Sequence, residues 1–407
     1  MRRRLLAFSL IGVAVALAGC GGTTLLHRRS TSTVGTVTVA VPAQAAAAPG
    51  LGFPALATKN TTRVPGANPV TDAALVALAV YPSAVAGTHP GAVVLAPTGD
   101  WQASIAASVL MAPPIRAPIL LSGSSQLPAI TGQTLTTLAP TGTGAAGGAQ
   151  VIRVGSVPPI KGRRAAAING QDPYTLAAGI DRFATAAQGT TSKDVVIASA
   201  TSPAYAMPAA GWAAESGDPV LFVGSQGIPA ATRQALLAHQ KPHIYVLGPP
   251  SVISAATVSQ LGKYGTVKRV GGSDPAANSV AFAKYRDPAC VYAQPCAHVP
   301  GSFGWAISSP GHGYVLINAG RPLDAAAAAP LSGSGDFGPQ LIVNDASTLP
   351  KPVLDFFLNY ATPGYTQEGP TAAVYNHGWV IGDQSAISVP VQAEMDNLLQ
   401  AIPQSNK

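Results

Sequence analysis

Charge is scarce in this sequence. Only 10% of its 407 residues are Asp, Glu, Lys or Arg and 47% are hydrophobic, a balance that excludes a disordered polyelectrolyte and describes a globular chain with a quiet surface. Cysteine is scarcer: three residues allow no disulfide framework. The apolar run Leu5–Ala18 has fourteen residues, short of the roughly 20 that a membrane-spanning helix needs. Seven histidines are scattered, none in an HExxH pair or beside a GxSxG elbow. What is abundant is Ala, Gly (43) and Pro (37), spread over a length that suits two or three domains.

The start reads as a leader. Arg2, Arg3 and Arg4 precede the apolar run, and small residues lead into Cys20, the order of a cleaved export signal. Leu17-Ala18-Gly19-Cys20 resembles the lipobox of bacterial lipoproteins. That resemblance implies a signal peptide over 1–20 and a diacylglycerol on the thiol of Cys20. The alternative is an ordinary signal that happens to contain a cysteine. The lipoprotein reading puts the chain outside the cytoplasm, lipid-anchored to the outer face of the cytoplasmic membrane and facing the cell wall. Without Arg2, Arg3 and Arg4, 21 basic residues face 17 acidic ones, a net +4. This mild bias tolerates an acidic partner, and no nucleic-acid partner is expected. Residues 21–60 lack hydrophobic periodicity and read as a flexible tether, averaging roughly 35 Å and reaching about 130 Å when stretched.

The remainder is written three times. An entry segment ends at Pro69, Pro173 and Pro275, with Gly66, Gly170 and Gly272 spaced by 104 and 102 residues. An apolar strand then runs into small residues and a helix, from Ala92, Asp194 and Gly313. A second strand with a polar turn and a proline-started helix follows: APILLSGSSQLPAITGQTL from Ala117, DPVLFVGSQGIPAATRQAL from Asp218, and GPQLIVNDASTLPKPVLDFF from Gly338. Last comes a strand ending in glycine, VIRVG, IYVLG and WVIG. Unbroken apolar strands alternating with helices predict parallel sheets covered on both faces. The fold class is therefore α/β: three tandem three-layer units, over 61–160, 161–266 and 267–402. The third is lengthened by Arg286–Gly313 and again after Tyr360, excursions expected to emerge as surface loops.

Ala117-Pro118-Ile119-Leu120-Leu121 with Leu127-Pro128, and more loosely Pro219-Val220-Leu221-Phe222 and Pro339-Gln340-Leu341-Ile342, resemble the central motif of the cell wall-binding repeat 2 family. The resemblance covers about 61–402. It implies a pseudo-threefold packing of three units and noncovalent attachment to anionic wall polymer. The family commonly has an Asp after the second strand. Asp324 fits, while Ala103 and Tyr205 stand at that place in the other copies.

Ligands of open α/β sheets bind beyond the carboxyl ends of the strands. The polar residues there are Thr98, Asp100 and Trp101; Ser122 and Gln126; Thr201; Ser225 and Gln226; Arg321 and Asp324; Asn344 and Asp345. Hydroxyls, amides and an arginine suit a glycan or phosphate backbone, although such residues also cap helices and fill turns. Cys290 and Cys296 are expected to form a disulfide, because they lack a CxxC knuckle and a fourth zinc ligand beside His298. Gly142–Gly147 spells GxGxxG, but it follows a helix and precedes a strand, the wrong order for a dinucleotide loop. No cofactor, metal or catalytic residue is assigned. The expected function is noncatalytic binding of anionic cell-wall polymer or glycan by a lipoprotein. The alternatives are an extracytoplasmic solute-binding lipoprotein, which would divide into two lobes, and a wall hydrolase, for which the repeats leave little room.

Overall fold

The computed structural model describes residues 55–288, 302–334, 338–365 and 374–403. The leader with Cys20, most of the tether, and the Cys290–Cys296 pair lie outside the described residues. In chain order come β1 (Thr61–Val64), α1 (Pro69–Val80), β2 (Val93–Pro97), α2 (Trp101–Ala106) with a 3-10 turn to Met111, β3 (Ile119–Ser122), α3 (Ala129–Leu138) and β4 (Val151–Val154). The second repeat supplies β5 (Ala165–Ile168), α4 (Pro173–Gln188), β6 (Asp194–Ser199), α5 (Pro203–Ala206), α6 (Pro208–Ser216), β7 (Val220–Val223), α7 (Ala230–Ala238), β8 (His243–Leu247) and α8 (Ala255–Leu261). The third supplies β9 (Thr266–Val270), α9 (Pro275–Lys284), β10 (Gly313–Asn318), α10 (Leu323–Ser332), β11 (Gln340–Val343), α11 (Lys351–Asn359), β12 (Gly364–Tyr365), β13 (His377–Ile381), α12 (Val389–Leu398) and β14 (Ile402–Pro403).

The entry helices begin where local chemistry requires. Asn68, Asp172 and Asp274 are N-caps, each accepting from backbone N–H groups of the first turn, and each is followed by proline at the first helical position. Pro128, Pro229 and Pro350 stand one step earlier, at the N-cap of α3, α7 and α11. There φ near −60° already matches the helix that follows, while ψ stays extended as an N-cap requires.

Three four-stranded sheets result, ordered β3-β2-β4-β5, β7-β6-β8-β9 and β11-β10-β13-β1, with every neighbouring pair parallel. Their fourth strands are exchanged. The entry strand of the second repeat, β5, completes the first sheet, and that of the third, β9, completes the second. The third sheet is completed by β1 from the start of the chain, Thr61 opposite Gly378 and Val64 opposite Ile381. Each entry helix packs on a strand of its own repeat, α1 on β3, α4 on β7 and α9 on β11, and also on a helix of the neighbouring one, α1 on α10, α4 on α2 and α9 on α5. The three units therefore form a closed ring.

At the centre, α2 with its 3-10 turn, α6 and α10 pack on one another. Alanine makes that possible. Ala325–Ala329 of α10 and Ala209, Ala210, Ala213 and Ala214 of α6 are all buried, and a helix apolar all round belongs inside a core. A Cβ on Gly211 would sit 2.7 Å from Ser332 Oγ, so only glycine allows α6 and α10 to approach this closely.

Two features differ from sequence expectation. Residues 55–60, the end of the compositional tether, are packed: Gln392 Nε2 donates to the Ala55 carbonyl, and Thr58 Oγ1 and the Asn60 amide donate to Asp396. The described end of the Arg286–Gly313 excursion is no surface loop. Phe303 and Trp305 are wholly buried. Phe303 stacks on Tyr245 at 3.6 Å, and Trp305 meets Trp212 edge-on at 5.4 Å. Phe303 and Trp305 thus fill the seam between the second and third units with aromatic area, which outweighs the lack of helical period around them.

Within the second unit, His239 at the end of α7 ties down α4 and the segment before β6. Its Nδ1 lies 2.8 Å from the Ser192 carbonyl and its Nε2 3.0 Å from both oxygens of Asp181. Both nitrogens face acceptors, so the ring is an imidazolium donating twice. Burial pushes its pKa down, but the hydrogen bond and charge of Asp181, with the Ser192 carbonyl, leave it raised.

Two outcomes follow. Trp305→Ala destabilises by about 3–5 kcal/mol, read from urea unfolding followed by tryptophan fluorescence. For His239, a raised folded pKa means stability that is full below the unfolded value of about 6.5 and is lost as pH rises through the folded one. The stability gap between the parent chain and His239→Gln is therefore largest at acidic pH and narrows on going alkaline, which thermal melts across pH check.

Candidate functional site: three related clefts

Because each sheet ends with a strand from the next repeat, each set of strand ends faces the entry turn of that next repeat. Three equivalent clefts arise, one per junction. An arginine clamps the turn beyond the third strand in each. Arg63 on β1 donates to the carbonyls of Gly382 and Asp383, and Arg269 on β9 donates to those of Gly248 and Ile253. In the first unit the matching entry residue is Ala167, and its register partner Arg153 on β4 takes over, donating to the Val157 carbonyl. The guanidinium has moved one strand over and kept its task.

What lies across the clefts differs. In the second, Tyr205 of α5 donates from its hydroxyl to the Ser273 carbonyl at 3.0 Å, and Asn278 Nδ2 donates back to the Tyr205 carbonyl at 3.2 Å. In the third, Arg321 reaches from the turn after β10 to Asp72 of α1 and pairs with Asp324, its Nε 2.7 Å from Asp324 Oδ2. Asp72 also accepts the Gly66 amide at 2.8 Å. Both carboxyls are wholly buried. One guanidinium balances one carboxylate, so the second holds its proton. Burial pushes Asp72 up to about 8, reinforced by Asp324 and opposed by Arg321. Asp324 is pushed up to about 6 by burial, again against Arg321.

In the first cleft nothing spans. Ala103 stands where the others have Tyr205 and Asp324, and Leu176 where they have Asn278 and Asp72. A cavity of about 850 Å³ opens there, lined among others by Thr98, Asp100, Trp101, Ser125 and Asp172. Asp100 caps α2 through the Ala103 amide, and Gln102 is tied to the Ala200 carbonyl of the second unit. Trp101 lines the cavity while meeting Phe222 edge-on at 5.8 Å.

Of the residues expected from sequence, Thr98, Asp100 and Trp101 are brought together at this cavity. Ser122 is buried with its hydroxyl donating to the Gly123 carbonyl, and its turn also holds Gln126. Thr201 pairs with the Ser199 hydroxyl, and Ser225 and Gln226 sit in a tight turn closed between Gly224 and Gly227. Arg321 and Asp324 join the buried cluster of the third cleft. Asn344 and Asp345 occupy an exposed turn in which Asp345 accepts from the Ser347 amide and hydroxyl, bonds that lower its pKa. Sequence reasoning missed Asp72 and Asp172, because it assigned the entry segments to their own repeats and not to the cleft of the preceding one, and it missed Ser156 because it did not count the turn after β4 among the strand ends. The Asp-Pro and Asn-Pro pairs before the entry helices were the available signal. Gly142–Gly147 folds around a 3-10 turn, Gly144–Ala146, between α3 and β4. Among the described residues no group of three or more His, Cys, Asp or Glu is placed to hold a metal ion, and no helix is long and apolar enough to cross a membrane.

Removing Arg321 strands two buried carboxyls. Arg321→Gln is expected to cost about 3–5 kcal/mol at pH 8 and markedly less near pH 5, where both carboxyls keep their protons; urea unfolding at the two pH values measures it.

Comparison with known proteins places this geometry. Residues 168–258 match the family model described as Cell wall binding domain 2 (CWB2). Among solved structures, Cwp6 from Clostridium difficile superposes with a TM-score of 0.63 at 16% identity, over 84% of this chain and 48% of that one. Cwp8 from Clostridium difficile gives 0.59 at 18% identity, over 84% and 53%. The chain thus spans about half the length of these proteins, and at such identities the likeness is one of fold. No curated protein sequence matches it. The family match thus falls on the second unit, residues 168–258, which is similar to cell wall binding domain 2.

Proposed function

We propose that the chain is a noncatalytic cell-wall-binding lipoprotein, exported, held at the membrane through lipid on Cys20, and gripping wall polymer at the clefts beyond the strand ends. The observation that carries this reading is the family match of the second unit, joined to a fold in which that unit recurs three times around a ring. The division into three sheets, with no pair of lobes, speaks against a solute-binding protein. The reading needs no reacting group. The buried acidic pair of the third cleft is occupied by Arg321, which leaves it a structural junction.

The anionic polymer is what the family resemblance implies; Arg321, the loop cation that could have met it, has its charge spent inside the protein. Hydroxyls, amides and an aromatic ring remain for a glycan. Contacts made at more than one junction against a repeating polymer would add by avidity. The test is co-sedimentation of residues 21–407 with isolated wall sacculi. Retention on intact sacculi is expected; loss after anionic polymer is stripped would identify that polymer as the ligand, whereas no retention on intact sacculi overturns the reading.

A further inference from the structure

We propose that the first cleft is the chain's glycan site and that it selects a sugar polymer bearing free amines over a phosphate-dense one. The assignment deepens the wall-binding reading and rests on it for the polymer's source. Its basis is the contrast among three equivalent places in one molecule. At two of them side chains reach across and bond, Tyr205 to the Ser273 carbonyl and Arg321 to Asp72. At the first, Ala103 and Leu176 reach nothing polar, and the space stays open as a cavity of about 850 Å³, within the roughly 300–1,000 Å³ usual for ligand pockets.

The charge of that cavity is one-sided. Its lining includes two carboxylates, Asp100 from the first unit and Asp172 from the entry turn of the second, and no lysine, arginine or histidine. Thr98, Ser124, Ser125 and Ser156 add hydroxyls, and Trp101 adds an aromatic ring. The carboxylates feel one another: partial burial pushes Asp100 upward, and the charge of Asp172 adds to that push. Each caps a helix with one oxygen, Oδ1, accepting backbone amides, which leaves a second oxygen for a ligand. A phosphate brought here meets like charge on both walls. An ammonium meets opposite charge on both, while hydroxyls serve the rest of the sugar. An anionic polymer that also carries amino sugars satisfies this site through its amines.

The test is calorimetric titration of the full chain at pH 6 with a β-1,4-linked glucosamine oligomer and, separately, with its N-acetylated counterpart. The amine form is expected to bind at least about tenfold more tightly, equivalent to about 1.4 kcal/mol, with the preference shrinking at high salt. The double variant Asp100→Asn with Asp172→Asn keeps both caps, since Asn caps as well as Asp, and is expected to melt like the parent yet lose the preference. Ser125→Lys, which puts a cation on the cavity wall, is expected to lose it too. Equal binding of the two oligomers, or a preference unchanged in the double variant, overturns the proposal. If sacculi retain the chain while the oligomers bind alike, the cleft assignment fails and the wall-binding reading stands. If sacculi do not retain it while the amine oligomer binds through the carboxylates, the opposite holds.

Discussion

Strand lending is the constraint on which the rest of this molecule depends. A repeat of about 100 residues here supplies three strands to its own sheet and a fourth to the sheet before it, so no repeat can complete a sheet alone. In linear repeat proteins the terminal units are left with a bare face and need caps. Here β1 pairs with β13 across more than 300 residues, and the last sheet receives from the first repeat what the others receive from their successors. The entropic cost of joining ends so distant rises only as the logarithm of the intervening length. By then the two earlier junctions have already brought the ends near.

Closure also explains the composition. Three central helices that meet pairwise need narrow surfaces, and alanine with an occasional glycine provides them. The same demand removes charge from the interior, leaving a few ionisable groups that must be paired or protonated. His239 is held charged between Asp181 and Ser192, and Arg321 is held between Asp72 and Asp324. Both bind segments distant in sequence, Arg321 at the seam that closes the ring and His239 at the packing of α7 on α4 within the second unit. Their desolvation makes them costly partners to orphan, so they specify the packing more than they stabilise it.

Much of this was legible. Collinear repeats, continuous apolar strands and Asn-Pro or Asp-Pro before each entry helix read directly as parallel α/β units with capped helices. Those signals are local, since a strand's burial and a helix's cap are written within a few residues. The destination of the entry strands was not legible, because KRV pairs equally well in either adjacent sheet and only the length and direction of the link to α9 decide. The same gap hid the clefts. Tyr205, Asp324 and Ala103 were recognisable as equivalent, but what each faces comes from the following repeat. Phe303 and Trp305 likewise look like loop residues until the space they fill, around Trp212 and Tyr245, exists.

A closed ring fixes the number of repeats, and that in turn shapes how the copies diverge. A fourth unit would have to break the β1–β13 pairing and part the central helices, whereas a linear array simply grows. Duplication therefore offers no spare unit, and change is confined to positions that leave the ring intact. The positions across the clefts are such places: Tyr205 with Asn278 and Arg321 with Asp72 bond across, Ala103 and Leu176 leave the opening free, and all leave strand, cap and clamp untouched. Arg153 taking the task of the arginine absent at Ala167 shows the limit of that freedom. The clamp was relocated and kept, because without it the turn that forms the cleft wall would lose its fixed carbonyls. What varies across the three clefts is the contact in the opening, and what is held is the frame around it.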